Sequence, residues 1–412
     1  MATKNARKKH GDVHVTYLQR LSTACWVGTV SCVIVAADSR TTARSTQDAL
    51  PVPMSAASTQ DAPPIPLSAA STNRAPQQSH WIHGRWRDLA LMAAWIPFSL
   101  AAGLTIGSPS ALATVVGTTL LISLAHQPLT LGLIYGDPAQ FAVAKKIFTF
   151  GPFVFVAAII FGNWLSLALV GVVAGLWNAE HTLMQRYGLV RIYGRKAGEG
   201  QRSDEKPLLF SWLLFALAFA GADGRTPKLL TKVDLGATNE SGIEVLQSLQ
   251  PYARVAMIPL ALFVVWSARQ WWRVEQSLAI RSTPKYAYLF ATGVLFAVML
   301  INPIVGLVGY VGAHAVEYIV IVHQALGRRY RGANAEPGGI VGPLVRSPLR
   351  STGLVAVYLG AVTVFLLAVQ SLFPATWANV ILLTVGGMHV FFDGFIWKLR
   401  RPVVANSVAA TL

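Results

Sequence analysis

Charge and sulfur are the two things this chain is short of. Lys, Arg, Asp and Glu supply 13% of its 412 residues, where soluble domains carry about 25%. With 53% hydrophobic residues, that composition excludes an ordinary water-soluble fold and marks an integral membrane protein. Only two cysteines occur, Cys25 and Cys32, both near the N-terminus. Residues 80–412 therefore hold no disulfide, no thiolate metal site and no cysteine nucleophile. Motifs are equally sparse. There is no P-loop, no HExxH and no GxSxG, which removes the mechanisms those spacings serve. The one HxxxH pair, His10 with His14, precedes every apolar run, so the histidine boxes of membrane desaturases are missing. The first external loop, Gly107-Ser108-Pro109, lacks the acids that polytopic glycosyltransferases use there.

A formal net charge of +16 is not a nucleic-acid signal here, because Lys and Arg stand at the ends of apolar runs, where they orient helices. From residue 89 onward the runs are 89–106, 110–135, 141–161, 164–186, 208–222, 255–272, 286–301, 304–327, 354–372 and 377–397. If these alternate across a bilayer, 22 Lys and Arg fall on one side and four (Arg225, Lys228, Lys232, Arg254) on the other. The positive-inside rule then predicts an all-α, polytopic transmembrane helix bundle of about ten spans in a cell inner (plasma) membrane, both ends of the helical domain cytoplasmic. That domain is 80–402, with a tail at 403–412. Run 208–222 is short for a ~30 Å core, but dropping it would invert the second half and spoil the charge pattern. The long external segment 223–254 contains ESGIEVLQSLQ, whose Ile243, Leu246 and Leu249 predict a short helix lying on the membrane surface.

Residues 1–79 are of another kind. Lys4, Arg7, Lys8, Lys9 and Arg20 precede an apolar run at 21–37, and a thirteen-residue repeat follows, STQDALPVPMSAA from Ser45 and STQDAPPIPLSAA from Ser58. Rich in Pro, Ser and Ala with no apolar face, the repeat predicts disorder. Translocation of 21–37 would put Arg85 and every basic loop on the wrong side. The run is therefore expected not to carry the chain across, or the natural start to lie downstream, with Met54 a candidate.

Within the spans only three acids occur, Glu180, Glu317 and Asp393, and five histidines, His126, His181, His314, His323 and His389. A carboxylate in hydrocarbon costs at least ~2.5 kcal/mol on insertion scales, so such groups face a bundle interior and mark function. All eight lie on spans running the same way. At ~1.5 Å per residue from the cytoplasmic end, His126 and His389 lie ~14 Å deep, His181 ~8 Å and Glu317 ~17 Å. Four spans thus offer imidazole or carboxylate at depths within about two turns of each other. His314 and Glu317 share a face, as do His389 and Asp393, and His181 and Gln185; Glu180 points about a quarter turn away. Gly386-Gly387 permits close helix approach.

Three arrangements fit. His126, His181, His314, Glu317 and His389 could hold iron or zinc, with Asp393 or Gln185 fixing a histidine tautomer and Asp393 and Glu180 as catalytic candidates. The same groups could pair with one another without metal, or two imidazoles could hold a haem. His323 reads as interfacial. Three functions follow: a metal-dependent oxidoreductase acting on a lipid or isoprenoid that enters from the bilayer, a transporter using the cluster as a proton relay, or an intramembrane acyltransferase with one histidine as base. Pro97, Pro152 and Pro259 inside spans suit a transporter, although no clear internal repeat accompanies them.

The segments LAHQPLTLGLIYGD around His126, HAVEYIVIVHQALGRRY from His314 and HVFFDGFIWKLRRP from His389 resemble uncharacterised conserved integral membrane proteins of actinobacterial type, over residues 89–402. That resemblance implies a polytopic fold and brings no activity with it. The plan of histidines from several helices converging in the membrane is similar to bacterial carotenoid-cleaving dioxygenases that hold iron by imidazoles, without a match of motifs.

Overall fold

The computed structural model describes residues 80–398, apart from 201, 234–236, 332–334, 336, 348 and 349. The apolar run 21–37, the repeat and the tail 403–412 lie outside the described residues. Among the latter every regular element is a helix. Nine of these helices are long and apolar enough to cross a membrane, from Arg85–Thr105 to Trp377–Ile396. The chain is a multi-pass membrane protein. A further helix, Leu167–Lys196, is 30 residues long and so spans ~45 Å. Asn178, Glu180, His181, Gln185 and Arg186 interrupt its apolar character, and it carries much of the polar interior described below. The short run at 208–222 sits in the helix Glu205–Ala222, of 18 residues.

One external feature differs from expectation. Residues 240–250 do not form a separate surface helix; they begin the 40-residue helix Ala237–Gln276. Leu246 is buried, and Gln250 donates to the Ala222 carbonyl at 3.2 Å. These contacts to the neighbouring helix end hold the segment in line. The helix continues through Pro251, which frees one carbonyl without ending the element. A different piece, Arg225–Val233, supplies the short helix of this region.

The helix Pro303–Tyr330 is the most enclosed of the spans, whereas Lys145–Leu165 and Ile243–Gln276 have the least cover from the rest of the protein. Asn302 caps its start, its side chain accepting from Val305 N–H at 3.3 Å, with Pro303 at the first position. Gly306, Gly309 and Gly312 follow at three-residue spacing. A Cβ on Gly312 would enter the Phe98 ring, and one on Gly309 would meet Ser99 Oγ. The stripe thus lets the helix Trp95–Thr105 approach closely, and Ser99 Oγ donates to the Val305 carbonyl at 3.1 Å. Gly312→Leu is expected to force these helices apart at a cost of roughly 1–3 kcal/mol, the range for overpacking. A lower unfolding temperature in detergent would show it.

Three residues counted among the basic flanks, Arg186, Arg191 and Lys285, lie inside the protein. Arg186 and Lys285 are both fully buried. Lys285 Nζ lies 2.5 Å from Glu275 Oε1 and 2.7 Å from Glu199 Oε1, and Arg191 Nη1 lies 2.9 Å from Glu205 Oε1. These neutralising partners explain why the cations tolerate burial.

Candidate metal centre

Four histidines from four helices meet. His126 comes from Pro109–Tyr135, His181 from Leu167–Lys196, His314 from Pro303–Tyr330 and His389 from Ala375–Ile396. Their rings form a closed square. Adjacent centroids are 4.7 Å apart for His126–His314, 5.1 Å for His314–His181, 4.8 Å for His181–His389 and 4.7 Å for His389–His126. Each neighbouring pair is nearly perpendicular, with interplanar angles between 78° and 89°. The diagonal His314–His389 measures 6.5 Å.

That square has the size of a four-imidazole metal site. A ligand nitrogen ~2.1 Å from an ion and about 1.1 Å from its own ring centroid puts centroids ~6.4 Å apart for ligands facing each other across the ion, against ~5.2 Å in a tetrahedral zinc site. Nε2 of His126 and Nε2 of His389 are 3.1 Å apart, close to the ~3.0 Å between two such ligands at a right angle. One donor atom each from His126, His314 and His389 lies within 4.8 Å of the others, and the same holds for His181, His389 and Asp393. The two sets share His389, and among the described residues His181 joins His389 and Asp393 but not His126 and His314 within that limit.

The tautomer of His389 follows from its partners. The Thr130 hydroxyl donates to Asp393 Oδ1 at 2.7 Å. Thr130 Oγ1 also lies 2.6 Å from Tyr318 Oη, and with its proton given to Asp393 it accepts from His389 Nδ1 at 2.7 Å. Tyr318 Oη donates to the same carboxylate at 2.9 Å and receives from Trp397 Nε1 at 3.3 Å. With its proton on Nδ1, His389 turns the lone pair of Nε2 toward the centre of the square, the form a metal ligand needs. Asp393 therefore acts on His389 mainly through Thr130; its own Oδ2 is 3.8 Å from His389 Nδ1 and 3.7 Å from His181 Nε2.

By contrast, both ring nitrogens of His314, and Nε2 of His181, are buried without a hydrogen-bond partner. Leaving a buried polar atom unsatisfied costs roughly 1–3 kcal/mol, so each calls for a partner. Pairing of the histidines among themselves would supply it, but only His126 and His389 make such a bond among the described residues. A porphyrin between His314 and His389 would need the space that His126 and His181 fill.

Glu317, on the face next to His314, looks elsewhere. Its Oε1 is 3.2 Å from Arg186 Nη2, and its Oε2 accepts from Tyr288 Oη at 3.0 Å and Gln185 Nε2 at 3.2 Å. Gln185 also donates to the His314 backbone carbonyl at 3.3 Å and to no histidine ring. Glu180 lines a cavity beside His181, and His323 lies away from the square. Glu199, Glu205 and Glu275 also approach one another as metal ligands would, but the Lys285 ammonium is seated among them.

The partners that sequence reasoning missed stand one helical turn from residues it singled out: Thr130 from His126, Tyr318 from His314, Trp397 from Asp393. The i to i+4 rule was the signal available. Thr130→Val is expected to weaken metal binding about 10–100-fold, the usual effect of losing an outer partner, and Thr130→Ser to restore it; titration of stripped protein with metal measures both.

Compared with known proteins, the chain matches no family model, no curated protein and no solved structure. What is established is a helical membrane protein with buried histidine and acidic groups that could bind metal.

Proposed function

We propose that this is a membrane-embedded metalloenzyme, an oxidoreductase that holds non-haem iron through His126, His181, His314 and His389 and acts on a lipid or isoprenoid. The observation that carries the reading is the square of four imidazoles, on which His314 and His181 have buried nitrogens without a hydrogen-bond partner. An all-imidazole set suits iron or zinc; bound iron would supply one-electron chemistry. Asp393, Thr130 and Tyr318 hold His389 in its ligating form, and Glu180 stands at the edge as an acid or base. Glu317 serves in this reading to neutralise Arg186. The protein is placed in the plasma membrane with both ends of the helical domain cytoplasmic, in keeping with its basic loops.

Substrate access supports the lipid assignment. Cavities of about 350 Å³ and about 420 Å³ lie between the helices, the second lined by His181 and Asp393, within the range of small-molecule sites. A proton-relay transporter fits less well. Acids reach the square on the Asp393 side only, while the cavity on the other side has no charged residue in its lining. Elemental analysis of purified protein tests the proposal: about one iron per chain is expected. Protein without stoichiometric metal whose His389→Ala variant keeps full function would end it, and proton-coupled uptake by metal-free proteoliposomes would favour transport. An acyltransferase would need one essential histidine; this reading requires four.

A further inference from the structure

The two cavities are unlike: of the four imidazoles, His181 lines the second and none lines the first. On Leu167–Lys196, Asn178 lines one cavity and Gln185 the other, with His181 in between. On Pro303–Tyr330, Val311 and Tyr318 bracket His314 in the same way, and on Ala375–Ile396 Gly386 and Asp393 bracket His389. Val390 lines both cavities. The first is walled by groups such as Leu124, Phe155, Val170 and Leu383 and carries no charged side chain. The second presents Glu180, Gln185, Asp393 and Lys398.

We infer that the substrate is one long amphipathic chain, its apolar length in the first cavity and an uncharged polar end, hydroxyl or carbonyl, in the second, so that the chain passes Val390, next to His389, and reaches His181. This rests on the histidine square being the reaction centre. The polar end follows from the lining. A plain hydrocarbon would strip water from Glu180, Gln185 and Lys398 without replacing its hydrogen bonds. A phosphate or carboxylate would meet two acids and one ammonium, an unfavourable balance for an anion. An alcohol or carbonyl can donate to or accept from each group without adding charge.

The test is binding to metal-stripped, purified protein in detergent, by displacement of a fluorescent polyene alcohol. A long-chain alcohol is expected to compete about ten-fold better than the alkane of equal length and better than its monophosphate, one hydrogen-bonding group being worth about that factor. Leu383→Trp and, separately, Ala174→Phe should each weaken all three about ten-fold by filling the apolar cavity. Size-exclusion profiles show which of the two variants folds, and a folded one that binds normally overturns the inference. Glu180→Gln with Lys398→Met should erase the preference for alcohol while keeping chain affinity. Equal or tighter binding of the phosphate or alkane to the unaltered protein also overturns it. Metal content measured in parallel separates the ideas. Stoichiometric metal without alcohol preference sinks the substrate assignment alone, and the preference in a protein that binds no metal sinks the metal centre alone.

Discussion

His314→Leu is expected to abolish metal binding and with it the stabilisation that added metal gives the parent, and that metal-dependent difference decides between the two main accounts of the square. Leucine fills much of the imidazole's volume, so packing alone predicts little change. If the square were merely a polar core, the replacement would remove two buried nitrogens that have no hydrogen-bond partner. At roughly 1–3 kcal/mol for each unsatisfied atom, the variant would be more stable than the parent. If the square holds metal, the variant loses one of four ligands. Affinity should fall by more than the ~10–100-fold typical of an outer partner. At metal concentrations of ~100 times the parent's dissociation constant, about 2.7 kcal/mol of ligand-linked stability would disappear. Unfolding curves with and without added metal measure both terms. A parent protein whose stability is as indifferent to metal as that of His314→Leu would leave the square without a metal.

Much of this arrangement was legible from spacing. Counting residues back from the basic end of each span puts His126, His181, Glu317 and His389 within about two turns of one another, because a helix rises by a fixed ~1.5 Å per residue. The rotation of each helix about its own axis was less accessible. His314 and Glu317, three apart, differ by about 60° around the helix, and a face that wide borders two sets of neighbours. His314 turns to the square, while Glu317 turns to Tyr288 and Arg186, on two other helices. Charge alone could not predict this, since Arg186 looked like a flanking residue until its burial was known. Similarly, four-residue spacing linked His389 to Asp393 but could not reveal that Thr130 from another helix stands between them.

The Arg186–Glu317 pair supports the second large prediction: Glu317→Gln should keep the metal and lose stability. Both side chains are wholly buried, and they touch at 3.2 Å without the alignment of a hydrogen bond. Arg186 also donates to Thr292 Oγ1 at 3.2 Å and lies over the rings of Tyr288 and Tyr310, 5.7 Å from each. Glutamine can retain the contacts to Tyr288 and Gln185, but it leaves the guanidinium without a counter-charge. Breaking a buried pair from one side costs about 3–5 kcal/mol, whereas replacing both members with apolar groups is often neutral. Glu317→Gln and Arg186→Met should therefore each unfold at markedly lower temperature, and Arg186→Met with Glu317→Leu should recover most of the loss. Metal content separates this role from ligation. A folded Glu317→Gln protein that still takes up one metal per chain places the carboxylate outside the coordination sphere. Loss of metal without loss of stability would make Glu317 a fifth ligand, and the ion pair would then have to open when metal binds.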